Sequence, residues 1–488
     1  MMLVMKFGGT SVGTGERILH VARIVLAHRD QQPIVVTSAM SGVTDALLAL
    51  ARSAAVGDAA ACESQLAALV KRHQDAARAI NPEGDWSALD QKLERLRAAA
   101  ADMLVHQDDS AQASDALVSW GERLAVVLVA NALMTLGQQA LAWDQPIIAT
   151  TNHAVPLAGA TRSLADEALT QAGDGVLVAP GFIARTLDGR ITTLGRGGSD
   201  YSATLLAAAL HADACWIYTD VDGLLSADPR IVQEAQILPA VSPKMAGRLS
   251  YSGAKVLHPQ SVAPVARQGI PLRVRNTFRP DHPGTLITAD SGEQRGLSKA
   301  IAGRRNLAAI VLTGDGLPEV PHLFGRMSQA MTRIGIEMVL SVHPGTGYDP
   351  QIIVNAAQAP AALEQLKQEF ADECAQGQIS TISIHQGLAL CTLIGEELDS
   401  AALAQVQRTL AAEQLAPLVQ TASFSALSFV LQEPELERAI RSIHRAVIEP
   451  ALRQNAVSHT LGIAYGSTSQ ALVDDNEEPE RRVATSRS

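Results

Sequence analysis

Aromatic residues are scarce in this chain, 3% of 488 positions, so its cores must be assembled from Ala, Val, Leu and Ile. Cysteine is scarcer still. Cys62, Cys215, Cys374 and Cys391 lie far apart with no CxxC pair, which argues against structural zinc and a disulfide framework and fits a reducing cytoplasm. No uninterrupted apolar run approaches the ~18 residues that a bilayer span requires. The opening Met1 to Phe7 lacks the charged-then-apolar layout of a signal peptide. Positive charge is not in excess: the formal net charge of −11 gives no general attraction for nucleic acid, and Arg304-Arg305 is too short to reverse it. There is no GxxxxGK[ST] and no complete GxGxxG, so neither the P-loop nor the dinucleotide fingerprint applies. A soluble cytoplasmic protein without membrane or nucleic-acid partners is expected.

The length points to roughly two to four domains, and 47% hydrophobic against 18% charged residues is a globular balance. From Met1 to about Thr288, short β-branched runs (Leu3–Phe7, Pro33–Thr37, Pro146–Thr150, Gly175–Val178, Cys215–Thr219, Leu272–Val274) alternate with helical patterns. The latter include Glu16–Ala27, Thr44–Ala54, Cys62–Ala79, Ala113–Leu136 and Asp200–Leu210. Such alternation predicts an α/β fold with a doubly wound, mainly parallel sheet. Ligands of such sheets gather beyond the C-terminal strand ends. After Asn306 the rhythm changes to two β-α-β-β-α units of about 65 residues, a duplicated small α+β module. Residues Asp474 to Ser488 are charged and small, and disorder is expected there.

Glycine-rich turns stand where the predicted strands end. Lys6-Phe7-Gly8-Gly9-Thr10-Ser11-Val12-Gly13 follows the first strand; Gly8 and Gly9 let backbone N–H groups approach an anion, and Lys6 adds a mobile charge. Taken alone, it is as readily an ordinary strand-to-helix turn. Thr193 to Ser202 is a second glycine loop, in which Arg196 suits bidentate capture of a carboxylate. Ser199 there reads as an N-cap and Asp200 as a first-turn acid, both purely structural roles. Thr219-Asp220-Val221-Asp222-Gly223 and Asp228-Pro229-Arg230 close an apolar strand, and Ser252 to Pro259 carries Lys255. Each of these two, singly, is better read as structural.

Their order along the chain is more specific. KFGGTSV at 6–12, GRGGSDYSA at 195–203, YTDVDGLLSADPR at 218–230 and SYSGAKVLHP at 250–259 resemble the amino-acid kinase superfamily, most closely the aspartokinases. Ser38 to Asp45 and Ser119 to Arg123 add to the match. The resemblance implies a catalytic kinase domain over 1–290, ACT-like (ferredoxin-like) modules at 300–375 and 380–450, and a tail at 451–488. It implies ATP-dependent phosphorylation of the L-aspartate side-chain carboxylate, with ATP and Mg2+ required and no metal ligand assigned. Lys6, Gly8, Gly9, Thr219, Asp220, Arg230 and Lys255 fall on the phosphate and nucleotide side. Thr44, Glu122, Arg196 and Ser199 fall on the aspartate side. Lys6, Asp200 and Lys255 form the catalytic set, with Asp200 orienting the two lysines. Glu122 would meet the substrate ammonium, against a plain reading as a solvated helical residue.

By the same resemblance, the modules would bind an amino-acid effector between subunits of a homodimer or larger assembly. Gly395 to Asp399 lacks the usual proline-glycine and His343 to Gly347 replaces a serine-rich turn, so weak or altered regulation by lysine or threonine is expected. Two rival readings stay open: a kinase for another acidic amino acid, and a catalytically silent amino-acid sensor.

Overall fold

The structure is a computed structural model describing residues 1–151, 155–254, 256–289, 299–317, 320–342, 349–396, 398 and 400–450. Lys255, the His343–Gly347 turn, Glu397, Asp399 and the 451–488 tail lie outside the described residues.

Numbered in chain order, the first strands are β1 (Leu3–Phe7), β2 (Pro33–Thr37), β3 (Ala140–Ala142), β4 (Ile148–Thr150), β5 (Val176–Pro180) and β6 (Ile183–Thr186). They continue with β7 (Ile191–Thr193), β8 (Ala214–Thr219), β9 (Ala240–Val241), β10 (Leu272–Asn276) and β11 (Thr285–Ile287). The main sheet runs β3-β5-β2-β1-β8-β10-β11-β9, and every pair is parallel except β10–β11. β4, β6 and β7 make a separate small sheet. Both faces of the main sheet are apolar and buried, as parallel strands require. Leu3, Met5, Phe7, Val35 and Val178 join one core; Val4, Ile34, Val36, Leu177 and Ile217 join the other. Side-chain alternation thus places Lys6 on the face of Val4, the face covered by the helix Gly198–Leu210.

The stretch expected as one helix, Ala113–Leu136, is two, Ala111–Val118 and Trp120–Thr135. They meet at Ser119, whose hydroxyl donates to the Ala116 carbonyl at 2.7 Å. Together, Ala111–Thr135 is long and apolar enough to cross a membrane, but 83% of its apolar window is buried inside the protein, the mark of a core helix.

Beyond residue 298 come β12 (Lys299–Thr313), β13 (Leu340–Val342), β14 (Gln351–Asn355), β15 (Thr381–Gly395), β16 (Val419–Ser423) and β17 (Ala426–Gln432). They form one sheet in the order β13-β14-β12-β15-β17-β16. The two α+β units are therefore not laid end to end. β12 and β15 pair antiparallel from Lys299↔Gly395 to Thr313↔Thr381, and each strand serves both units. Ala308, Ile310 and Leu312 pack with Met327, Val354 and Phe370, whereas Ile301 packs with Cys391, Phe429 and Ile440. Register shifts around Arg304 to Ala309, with Asn306 at φ 59°, separate the halves. That break is why the sequence shows only the apolar Leu307–Leu312 half as a strand.

Candidate active site

β1 delivers Lys6 to the C-terminal edge of the sheet. The residue is 7% exposed, and its side chain forms an ion pair with Asp200 in the first turn of the helix Gly198–Leu210. Gly8 then donates its N–H to the Tyr218 carbonyl of β8 at 3.2 Å, while Ser11 and Val12 donate back to Gly8. At Gly9 the backbone touches the loop after β2: Ser41 N–H donates to its carbonyl at 3.1 Å, and an added Cβ would stand 2.9 Å from the Ala39 carbonyl. Only glycine fits that approach.

β8 ends on the neighbouring side. Thr219 donates its hydroxyl to the exposed Asp220 carboxylate at 3.2 Å. Asp222 is taken up by Asn276 Nδ2 at 2.8 Å and by Arg279, a structural role that ties the turn after β8 to the end of β10. Arg230 is not drawn toward Lys6. Its side chain is 77% exposed and grips Asp228 with two nitrogens.

Glu122 belongs to the first turn of the helix Trp120–Thr135 and is 2% exposed, which overturns its reading as a solvated residue. Oε1 accepts the Ala39 N–H at 3.1 Å; Oε2 is buried with no hydrogen-bond partner among the described residues. Burial pushes its pKa up to about 8, opposed only by backbone hydrogen bonds. Its neighbour Gly121 is explained by packing, since a Cβ would come 2.8 Å from that of Ala39. Ala39 thus presses the β2 loop against this helix and leaves the carboxylate at the loop. Thr44 is the second residue of the helix Val43–Ala55, which starts beside the same loop.

Arg196 is exposed between Gly195 (φ 70°) and Gly197 (φ 72°), and makes no ion pair among the described residues. Gly197, not Ser199, caps the following helix. Left-handed backbone and the ring of His258, which a Cβ on Gly197 would overlap, both reserve the cap for glycine, so Ser199 falls in the first turn. Ser199 instead meets the end of β5: a Cβ on Gly181 would stand 2.9 Å from its Cα.

Two neighbours of the site were not singled out from the sequence. Phe182 holds φ 62° and its carbonyl accepts from Leu194 N–H at 2.8 Å, fixing the approach to the Arg196 loop. The breaker run Pro180-Gly181 just before it was the available signal. His258 packs on Gly197; its pKa is lowered, chiefly by burial, with the charges of Asp200 and Glu337 opposing and that of Arg196 adding to the shift. It stands inside the 250–259 motif, where Lys255 drew the attention.

The family model described as "Amino acid kinase family" matches residues 1–276, more than half of the chain. The chain belongs to the amino acid kinase family. Among members with curated names, it is 28% identical to aspartokinase 1, chloroplastic, of Arabidopsis thaliana, over 91% of this chain and 80% of that protein. It is also 28% identical to the bifunctional aspartokinase/homoserine dehydrogenase of Haemophilus influenzae, over 91% of this chain. The chain spans only 56% of that relative's length, and about half of the similar plant bifunctional proteins. Of solved structures in the family, E. coli aspartokinase III with aspartate and ADP (R-state) matches 92% of this chain and 100% of that one, at TM-score 0.78 and 28% identity. The same protein with lysine and aspartate (T-state) gives 0.73.

For a family of phosphoryl transferases the assembled groups divide sensibly. A glycine turn and a buried lysine stand at the C-terminal end of β1. A carboxylate with one oxygen lacking a partner among the described residues stands at the adjoining β2 loop, and Arg196 is exposed on a second glycine loop.

Proposed function

We propose that this chain is an aspartate kinase, transferring the γ-phosphoryl group of ATP to the side-chain carboxylate of L-aspartate. The observation that carries the reading is Glu122: a buried carboxylate oxygen without a partner is costly unless a cation comes to it, and the substrate ammonium is that cation. Arg196 would take the α-carboxylate in a charge-assisted fork, with Thr44 and Ser199 beside it. Those contacts leave the β-carboxylate directed at the phosphate cradle of Gly8 and Gly9. The similarity to a protein solved with aspartate and ADP supports the same assignment.

A carboxylate is anionic at neutral pH, so no general base is needed. One of its oxygens attacks the γ-phosphorus in line, the bond from that phosphorus to the bridging oxygen breaks, and that oxygen departs on ADP. The product is the mixed anhydride 4-phospho-L-aspartate, formed without a phosphoenzyme. Lys6, held by Asp200, neutralises charge growing on the transferred group; Lys255 is proposed to assist, and Thr219, Asp220 and Arg230 to hold the nucleotide.

Mg2+ fits as a companion of the nucleotide. No group of three potential ligands occurs among the described residues, and Mg2+ ordinarily takes one or two carboxylates with phosphates and water. When bound, it would offset phosphate charge.

The C-terminal units are proposed to be ACT-like, to bind an amino-acid effector and to pair subunits. Four cysteines without a disulfide favour a reducing compartment, taken as the cytoplasm. An ATP-dependent hydroxamate assay with aspartate, glutamate and no acceptor tests the central claim, repeated with lysine and threonine for regulation. Turnover with glutamate but not aspartate would replace the substrate; none with either would leave only a sensor.

A further inference from the structure

Thr277 lies one residue beyond the stretch matched to the family, on no motif read from the sequence, yet three segments of the site converge on it. It is fully buried, as is Ser11. Its N–H donates to the Thr219 carbonyl at 2.8 Å, extending the β8–β10 pairing past Asn276. Its carbonyl accepts from His20 Nε2 at 2.7 Å, on the helix Gly15–Leu26 that follows the glycine turn. Its hydroxyl lies 2.6 Å from the Ser11 hydroxyl, across 266 residues of sequence. Ser11 in turn donates its N–H to Gly8, inside the turn itself.

We propose that Thr277 is a positioning residue for phosphoryl transfer, locking the Gly8–Val12 turn to the strand end that carries Thr219 and Asp220. The inference rests on reading Gly8 and Gly9 as the phosphate cradle. Two buried hydroxyls facing each other are costly without a mutual hydrogen bond, whereas valine would fill the Thr277 space with no such demand. The pair therefore fixes one spacing between cradle and nucleotide side, rather than merely filling volume. Backbone pairing holds β10 against β8, and the hydroxyl pair ties the end of β10 directly to the turn after β1.

Thr277→Val keeps the backbone contacts and removes this one bond. Calorimetric titration with MgADP should show affinity reduced about 3- to 10-fold, one hydrogen bond's worth. The KM for ATP should rise alongside, with the KM for aspartate within about twofold, a split that a merely structural role would not produce. Thr277→Ser should restore MgADP affinity. Ser11→Ala should reproduce the loss, and the double variant should be no weaker than either single one, because both remove the same bond. If Thr277→Val fails to fold, Ser11→Ala against wild type carries the test. Unchanged MgADP affinity in a folded variant, or equal weakening toward both substrates, overturns the proposal. A wild type that binds MgADP but phosphorylates a different acid overturns the aspartate reading alone, and the MgADP series still decides this one.

Discussion

The two sides of the site are built differently. On the proposed acceptor side Glu122 is sealed by Ala39 and the helix Trp120–Thr135, with one oxygen held and the other lacking a partner among the described residues. On the proposed nucleotide side Asp220 is exposed and Arg230 is 77% exposed, occupied by Asp228. On the proposed roles, the acceptor side is preorganised at the cost of a buried acid, while the nucleotide side would be completed by the ligand. Lys6 stands at the junction, paired across the core with Asp200.

Removing the junction should have the largest effect. Lys6→Met is expected to lower kcat by at least ~100-fold, the scale of one lost transition-state electrostatic contact. A variant folded by circular dichroism but with near-normal turnover would refute the role given to Lys6.

Next comes the arginine of the acceptor side. Arg196→Ala should raise the KM for aspartate about 10- to 100-fold, from a charge-assisted contact of ~1.5–3 kcal/mol, and leave that for ATP nearly unchanged. Equal effects on both would move Arg196 to the phosphates and erase the contrast between the sides.

Glu122 sharpens the comparison through pH. Its pKa is raised from 4.5 to about 8, so near neutrality the empty site holds mostly the protonated form, whereas an ammonium prefers the carboxylate. The KM for aspartate should therefore fall as pH rises toward 8, by up to about tenfold per unit, with proton release on binding. Calorimetry in buffers of different ionisation enthalpy measures that release, and Glu122→Gln should abolish it. The stability sign is opposite. A raised acid pKa means that the folded protein binds more protons than the unfolded one, so this group's contribution is lost as pH climbs from about 4.5 to about 8. Glu122→Gln should consequently melt higher than wild type at pH 8, by a margin that shrinks toward pH 5.

The smallest effect belongs to the exposed side. Arg230 must leave Asp228 before it meets a phosphate, so Arg230→Ala is expected to raise the KM for ATP only a few-fold. A loss as large as that of Lys6→Met would mean that the nucleotide side is as preformed as the acceptor side.

The C-terminal half offers the same lesson at larger scale. Apolar periodicity displayed its strands and helices, but hydrogen-bond register, not local pattern, joins two units into one sheet through β12 and β15. The same half touches the N-terminal half through residues of two of the quoted motifs, in contacts that the motifs themselves do not announce. Tyr251 donates its hydroxyl to the Met338 carbonyl at 3.1 Å, and Ser226 meets the buried His444 at 3.0 Å.

What the sequence determined by itself was chemistry carried in contiguous letters: β1 and β2 from β-branched runs, the glycine turns, and the lysine, arginine and acid that stand within them. Such features are legible because backbone freedom and side-chain type act over a few residues. Tertiary structure alone decided environment. Glu122 reads as an ordinary helical acid until Ala39 buries it, and Ser199 reads as a cap until His258 packs on Gly197. Thr277 is silent as a letter because its meaning is a hydroxyl 266 positions away. Burial and long-range pairing are properties of the packed chain, and they fix which of the legible groups are charged, held or free to act.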